Sequence, residues 1–149
     1  MRLFVVFLVA LALPLRAADD LYPELSNEPA VLELFARVFM DGGAGFRETE
    51  SSAFLLLHPD GHYSLVPWPA TRRSREHAFR GAVPHFTLAI VHTHPASSPR
   101  PSAADEETAR KLRLPVVVLT PRHVVYVTPG GETVAAIENR AWAPDKATQ

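Results

Sequence analysis

Apolar positions recur at helical spacing over Val31, Leu32, Leu34, Phe35, Val38 and Phe39, and this one-sided stripe predicts an amphipathic helix. Ser26-Asn27 followed by Pro29 marks its start, because proline suits the first helical turn, and Gly42-Gly43 ends it. The period then changes. Ala53–Leu57 is a short apolar run, and His62–Val66 returns beside it across Pro59-Asp60-Gly61, a turn with hairpin chemistry. Thr87–Val91 is continuously apolar, as expected of a strand covered on both faces. Ser102–Arg113 reads as a second helix, with Asp105, Glu106 and Glu107 early and Arg110, Lys111 and Arg113 late, the order that suits the helix dipole. Pro115 breaks it. Val116–Leu119, Val124–Val127 and Thr133–Ile137 follow as strands, the last at an edge, with turns at Pro121-Arg122 and Gly130-Gly131. The proline- and arginine-rich stretch Pro67–Pro84 is expected to be a long loop, and the tail beyond Pro144 to be loose. Strands joined by hairpins in some places and by helices in others predict an α/β fold, a single mixed β-sheet with flanking helices.

The N-terminus changes the picture of what is folded. Arg2, the apolar run Leu3–Leu13, Pro14 and the small pair Ala17-Ala18 have the layout of a secretory signal peptide. Residues 1–17 are therefore expected to be removed on export, to the periplasm or outside the cell, leaving residues 18–149 as one domain. The run falls short of the roughly 20 residues that span a bilayer, so no stable membrane insertion is expected after cleavage; a retained tether is the alternative. Loss of Arg2 and Arg16 moves the formal charge from −1 to −3, and nothing in that balance calls for nucleic acid as a partner. The chain has no cysteine, which excludes disulfides, thiolate metal ligands, a cysteine nucleophile and a lipoprotein anchor.

The chemistry concentrates between Ile90 and Asp105. Residues two apart on a strand face one side, so His92 and His94 project together from the end of a buried strand. Two imidazoles so presented can share one divalent cation, and the ten residues between His94 and Asp105 allow a carboxylate at a helix start to return as a third ligand. Three protein ligands leave a position open for reaction. Each part alone has an ordinary reading. Two strand histidines are often a plain surface pair, and Ser102-x-x-Asp105 is a common helix cap. Their joint occurrence after a buried strand, with acids upstream, is what singles them out.

His92-Thr-His94-Pro95, six residues, then Ser102-Ala-Ala-Asp105 resembles the H-x-H-P-x6-S-x-x-D signature of the JAMM (MPN+, or JAB) metallopeptidases in every fixed position. The upstream glutamate of that signature, usually E-x-x-G before apolar residues, is matched by Glu50-Ser-Ser-Ala53, with alanine where glycine is usual. The resemblance runs from about Glu48 to Gly131. It implies a three-layer fold related to that of cytidine deaminases, zinc held by His92, His94 and Asp105, Glu50 as general base, and Ser102 as a hydrogen-bond donor to the attacking water or the oxyanion. Glu48 lies on the same side of an extended segment as Glu50 and competes for the base role; the spacing to the small residue favours Glu50. Ala53 is expected to add a methyl near the site and narrow the cleft. The implied activity is hydrolysis of an amide bond in a peptide or protein substrate. The alternative is a catalytically silent module of the same fold, while a zinc deaminase with a C-x-x-C pair is excluded by the missing cysteines.

Other residues take blander readings. His58 and His62 flank a turn and are expected to be solvent-exposed. Arg72, Arg73, Arg75 and Arg80 form a basic loop, solvated by default, that an acidic substrate group would suit. Trp68 and Trp142 are expected to pack, and His123 has no partner legible in the sequence.

Overall fold

The computed structural model describes residues 18–45, 50–69, 79 and 81–143. The expected signal peptide (1–17), Glu48, the four loop arginines and the tail from Pro144 lie outside these residues. The described elements are α1 (Ala18–Leu25), α2 (Pro29–Asp41), β1 (Ser52–Leu57), β2 (Tyr63–Pro67), β3 (Thr87–Thr93), α3 (Ala103–Leu112), β4 (Val116–Thr120), β5 (His123–Val127) and β6 (Thr133–Ile137). The strands form a single sheet in the order β2-β1-β3-β4-β5-β6. Only β3 and β4 are parallel, and α3 makes the crossover between them. The mixed sheet expected from the sequence is therefore present.

Alternation along the strands divides the core in two. Ala53, Leu55, Ala89, Val91, Val117, Leu119 and Tyr126 point to one face, where α1 and α2 cover them with Tyr22, Leu25, Val31, Phe35 and Val38. Phe54, Leu56, Ile90, Val116, Val118 and Val127 point to the other, where α3 contributes Ala109. Helices on both faces make three layers. β3 and β4, buried on both sides, read as unbroken apolar runs because each of their residues meets one layer or the other. Among the described residues no helix is long and apolar enough to cross a membrane.

Several boundaries move. α2 starts at Pro29 with Glu28 as its N-cap and no side-chain cap. Ser26 instead shares a 2.8 Å hydrogen bond with the hydroxyl of Tyr126, buried and stacked on Tyr22. The preceding helix α1 was not legible: Pro23 lies within it and costs it an internal hydrogen bond, so the burial of Tyr22 and Leu25 holds it in place. Pro67 ends β2 instead of opening the loop, at the sheet edge where a missing N–H is tolerated. β3 runs on to Thr93, which puts His92 inside the strand. Ala53 departs from its expectation altogether. It is 2% exposed and belongs to the α2-side core, so its methyl points away from the face that carries the imidazoles and does not narrow the cleft.

Candidate metal centre

Three elements end at one point. His92 pairs across β1 with Ser52 and shares the α3-side face with Phe54 and Ile90. His94 follows Thr93 just beyond the strand, its N–H donating to the carbonyl of Leu119, so β4 holds the backbone up to Pro95, which has no N–H to continue the ladder. Pro95 and the turn closed by the Ser98 N–H on its carbonyl bring the Ser98 carbonyl within 3.0 Å of His94 Nδ1. That carbonyl only accepts, so Nδ1 carries a hydrogen, and in the neutral ring Nε2 is the nitrogen with the lone pair.

Asp105 enters from the first turn of α3. Ser102 and Asp105 form a reciprocal capping box: Ser102 Oγ accepts from the Asp105 N–H at 3.3 Å, and the Ser102 N–H donates to Asp105 Oδ2 at 2.6 Å. The Ser102 hydroxyl also donates to Oδ2 at 2.8 Å. Oδ2 is thus held by helix-start chemistry, and Oδ1 is turned toward His92. His92 Nε2 lies 3.1 Å from Oδ1 and His94 Nε2 lies 3.4 Å from Oδ2, with all three side chains nearly buried. The two imidazoles meet edge to face, centroids 4.8 Å apart, and the three potential ligand atoms lie within 4.8 Å of one another.

The electrostatics follow. Burial works against charge on Asp105, yet the ring nitrogens of His92 and His94 and the Ser102 N–H outweigh it and hold the carboxyl far below the usual carboxylate range. Burial likewise opposes protonation of His94, but the Asp105 carboxylate beside it, with a smaller contribution from Glu50, raises its value. These groups fit a cation. His92 Nε2 is close to Oδ1 but is not aligned for a hydrogen bond; with Trp68 Nε1, it is one of two buried side-chain polar atoms without a partner among the described residues. A buried nitrogen left unpaired beside a second imidazole nitrogen and a carboxylate is a donor set that suits a divalent ion such as zinc.

Glu50 is not part of this triad. Ser51 faces Thr93 through paired bonds, Thr93 N–H to Ser51 O at 3.0 Å and Ser51 N–H to Thr93 Oγ1 at 2.9 Å. Extending that register by one residue sets Glu50 opposite His94, half-buried, on the same side of the sheet as Ser52 and His92. The structure therefore brings His92, His94, Asp105, Ser102 and Glu50 to one end of the sheet. The blander expectations also find their places. His62 is exposed as expected but His58 is half-buried; the two stack at 4.0 Å at the opposite end, His58 bonded to Ser64 and His62 to Asp60. Trp68 packs on Phe54 and Phe79, and Trp142 packs on Phe39 and donates to the Thr120 carbonyl. His123 has a partner after all, the hydroxyl of Thr120 at 3.2 Å. The Ser98 carbonyl was missed because a main-chain atom has no signature of its own; the proline on each side of Ala96-Ser97-Ser98 was the available signal.

A three-layer α/β fold with two imidazoles at the end of a central strand and a carboxylate at the start of the crossover helix brings three side chains close enough to hold a metal ion. The family model for prokaryotic homologues of the JAB domain matches residues 43–142, and the chain belongs to that family. The matched range contains every residue of the site. A comparison with curated proteins finds no match.

Proposed function

We propose that this protein is a zinc-dependent hydrolase of amide bonds, a peptidase or isopeptidase, acting after export. The observation that supports it best is the convergence of His92 Nε2, His94 Nε2 and the Asp105 carboxylate, with His92 Nε2 buried and unpaired, on the face that Glu50 shares. His92, His94 and Asp105 would hold the ion, which would supply Lewis-acid chemistry, polarising a substrate carbonyl and making water acidic enough to attack near neutral pH.

The chain's own residues do the rest. The Glu50 carboxylate takes a proton from the attacking water and returns it to the leaving amine nitrogen, a transfer worth about 10²–10⁴-fold. Ser98 keeps His94 in the tautomer that presents Nε2. Ser102 keeps Asp105 oriented; to donate to a developing oxyanion, its hydroxyl rotates away from Oδ2. The donor set of two nitrogens and one oxygen, with no sulfur, suits zinc. The export part of the proposal rests on the sequence of residues 1–17, and the substrate is a peptide or protein of the compartment reached.

The test is elemental analysis of the purified protein after zinc addition and desalting, followed by a quenched-fluorescent peptide library. About one zinc per chain, with hydrolysis that disappears in Glu50→Ala, is the expected result. Folded protein that retains no metal would overturn the proposal.

A further inference from the structure

Thr93 stands between the two histidines, yet its side chain serves neither. It is 2% exposed and points to the α2 side of the sheet, opposite the imidazoles. Its hydroxyl accepts from the Ser51 N–H at 2.9 Å while its own N–H donates to the Ser51 carbonyl at 3.0 Å. The Ser51 N–H belongs to the peptide unit that carries the Glu50 carbonyl, so the first of these bonds fixes the plane on which Glu50 is mounted. It lies one residue before β1 begins at Ser52, where the Ser51 N–H is held by a side-chain oxygen.

The far side of the same hydroxyl is closed by the end of α2. A Cβ built on Gly42 would come 2.5 Å from Thr93 Oγ1 and 3.1 Å from its methyl. Gly42 has an ordinary φ of −74°, so glycine is needed here for room and not for backbone freedom. The end of α2 thus packs directly on Thr93 and limits the rotamers its hydroxyl can take.

We propose that Thr93 is a positioning residue for catalysis: pressed by Gly42, its hydroxyl clamps the Glu50–Ser51 peptide and so sets the Glu50 carboxylate opposite His94. This rests on the assignment of Glu50 as general base. The clamp acts on placement of the base and leaves the metal ligands alone, so it separates catalysis from metal binding. A misplacement of about 1 Å can cost on the order of 10²-fold in rate, and loss of one hydrogen bond loosens a local opening equilibrium by about tenfold.

The experiment compares Thr93→Ser, Thr93→Val, Gly42→Ala and Glu50→Ala in the full chain. It reads zinc affinity by chelator competition, exchange of the Ser51 amide by NMR, and kcat and KM on the library peptide cut fastest by the parent protein. Thr93→Val is expected to bind zinc within about threefold of the parent, to exchange the Ser51 amide about tenfold faster, and to lose kcat by at least about tenfold at unchanged KM. Thr93→Ser, which keeps the hydroxyl, restores both exchange and kcat, whereas Gly42→Ala follows the valine variant. An inactive Glu50→Ala beside a fully active Thr93→Val sinks the clamp alone. A serine variant as poor as the valine one, or a kcat loss matched by lost zinc affinity, overturns it too. Parent-like turnover in Glu50→Ala, or none in the parent, removes the base assignment and the clamp with it.

Discussion

At the scale of single residues, the site shows one side chain used twice. Ser102 caps α3 and, through the same oxygen, steadies Asp105. Losing a serine cap costs about 1 kcal/mol of stability, and losing a partner that orients a metal ligand typically costs 10–100-fold in affinity. Ser102→Ala is therefore expected to unfold at slightly lower denaturant while binding zinc about 10–100-fold more weakly. A urea titration and a chelator competition read the two effects separately; unchanged zinc affinity would show that the cap is all Ser102 provides. The motif itself was legible, because His92, His94, Ser102 and Asp105 are fixed in number and spacing by the geometry of a strand end and a helix start. The choice between Glu48 and Glu50 was less so. Period-2 alternation puts both on one side, and the preference for Glu50 came from its distance to Ala53. The register Ser51–Thr93 sets Glu50 opposite His94; Glu48 lies outside the described residues, so the base assignment belongs to the proposed function. The inference about Ala53 failed for a simple reason: it lies an odd number of positions from Glu50, so along β1 it faces the other core.

At the scale of elements, α2 and the sheet carry the larger apolar core. Phe35 is fully buried among Val31, Val38, Val91 and Val117. Phe35→Ala removes a whole ring and leaves a cavity, a change that costs about 3–5 kcal/mol. The expected outcome is an equilibrium free energy of unfolding lowered by that amount; a loss under about 1 kcal/mol would mean that α2 packs less tightly than the burial implies. The elements that were legible share a strong period or strong punctuation. α2 has a clear apolar stripe, α3 has its sorted charges, and β4 and β5 are valine-rich between proline and glycine turns. α1 was hidden because tertiary burial of Tyr22 and Leu25, and no local propensity, sustains a helix that contains Pro23. Ser26 misled for a related reason: a serine before a helix is a cap only when no buried tyrosine claims its hydroxyl.

At the scale of the whole molecule, the absence of cysteine leaves the folded state dependent on its core and, in the proposed function, on a bound ion. Without metal, the lowered Asp105 contributes stability that is present above its ordinary 3.8 and is lost as pH falls through its folded value. The raised His94 contributes stability that is present below 6.5 and is lost as pH rises through its folded value. The metal-free protein therefore gains most from this cluster between those limits. Zinc bound as proposed would have the opposite dependence on the alkaline side, because it would displace the His94 proton. A ligand present at 1,000 times its dissociation constant adds about 4.1 kcal/mol. The difference in melting temperature between zinc-loaded and chelator-treated protein is expected to be larger at pH 8 than at pH 6; equal differences would mean that no proton leaves the site on binding.

The sheet also has two unlike ends. β1 begins and β3 finishes beside the metal centre, so the β1–β2 turn at Pro59-Asp60-Gly61 emerges at the opposite pole. Gly61 sits there at φ +86° with open space around it, and Asp60 is exposed. That turn is a natural handle for whoever handles the protein: a fluorophore, an epitope or an immobilising linker grafted there would report on the molecule from the side its chemistry never visits.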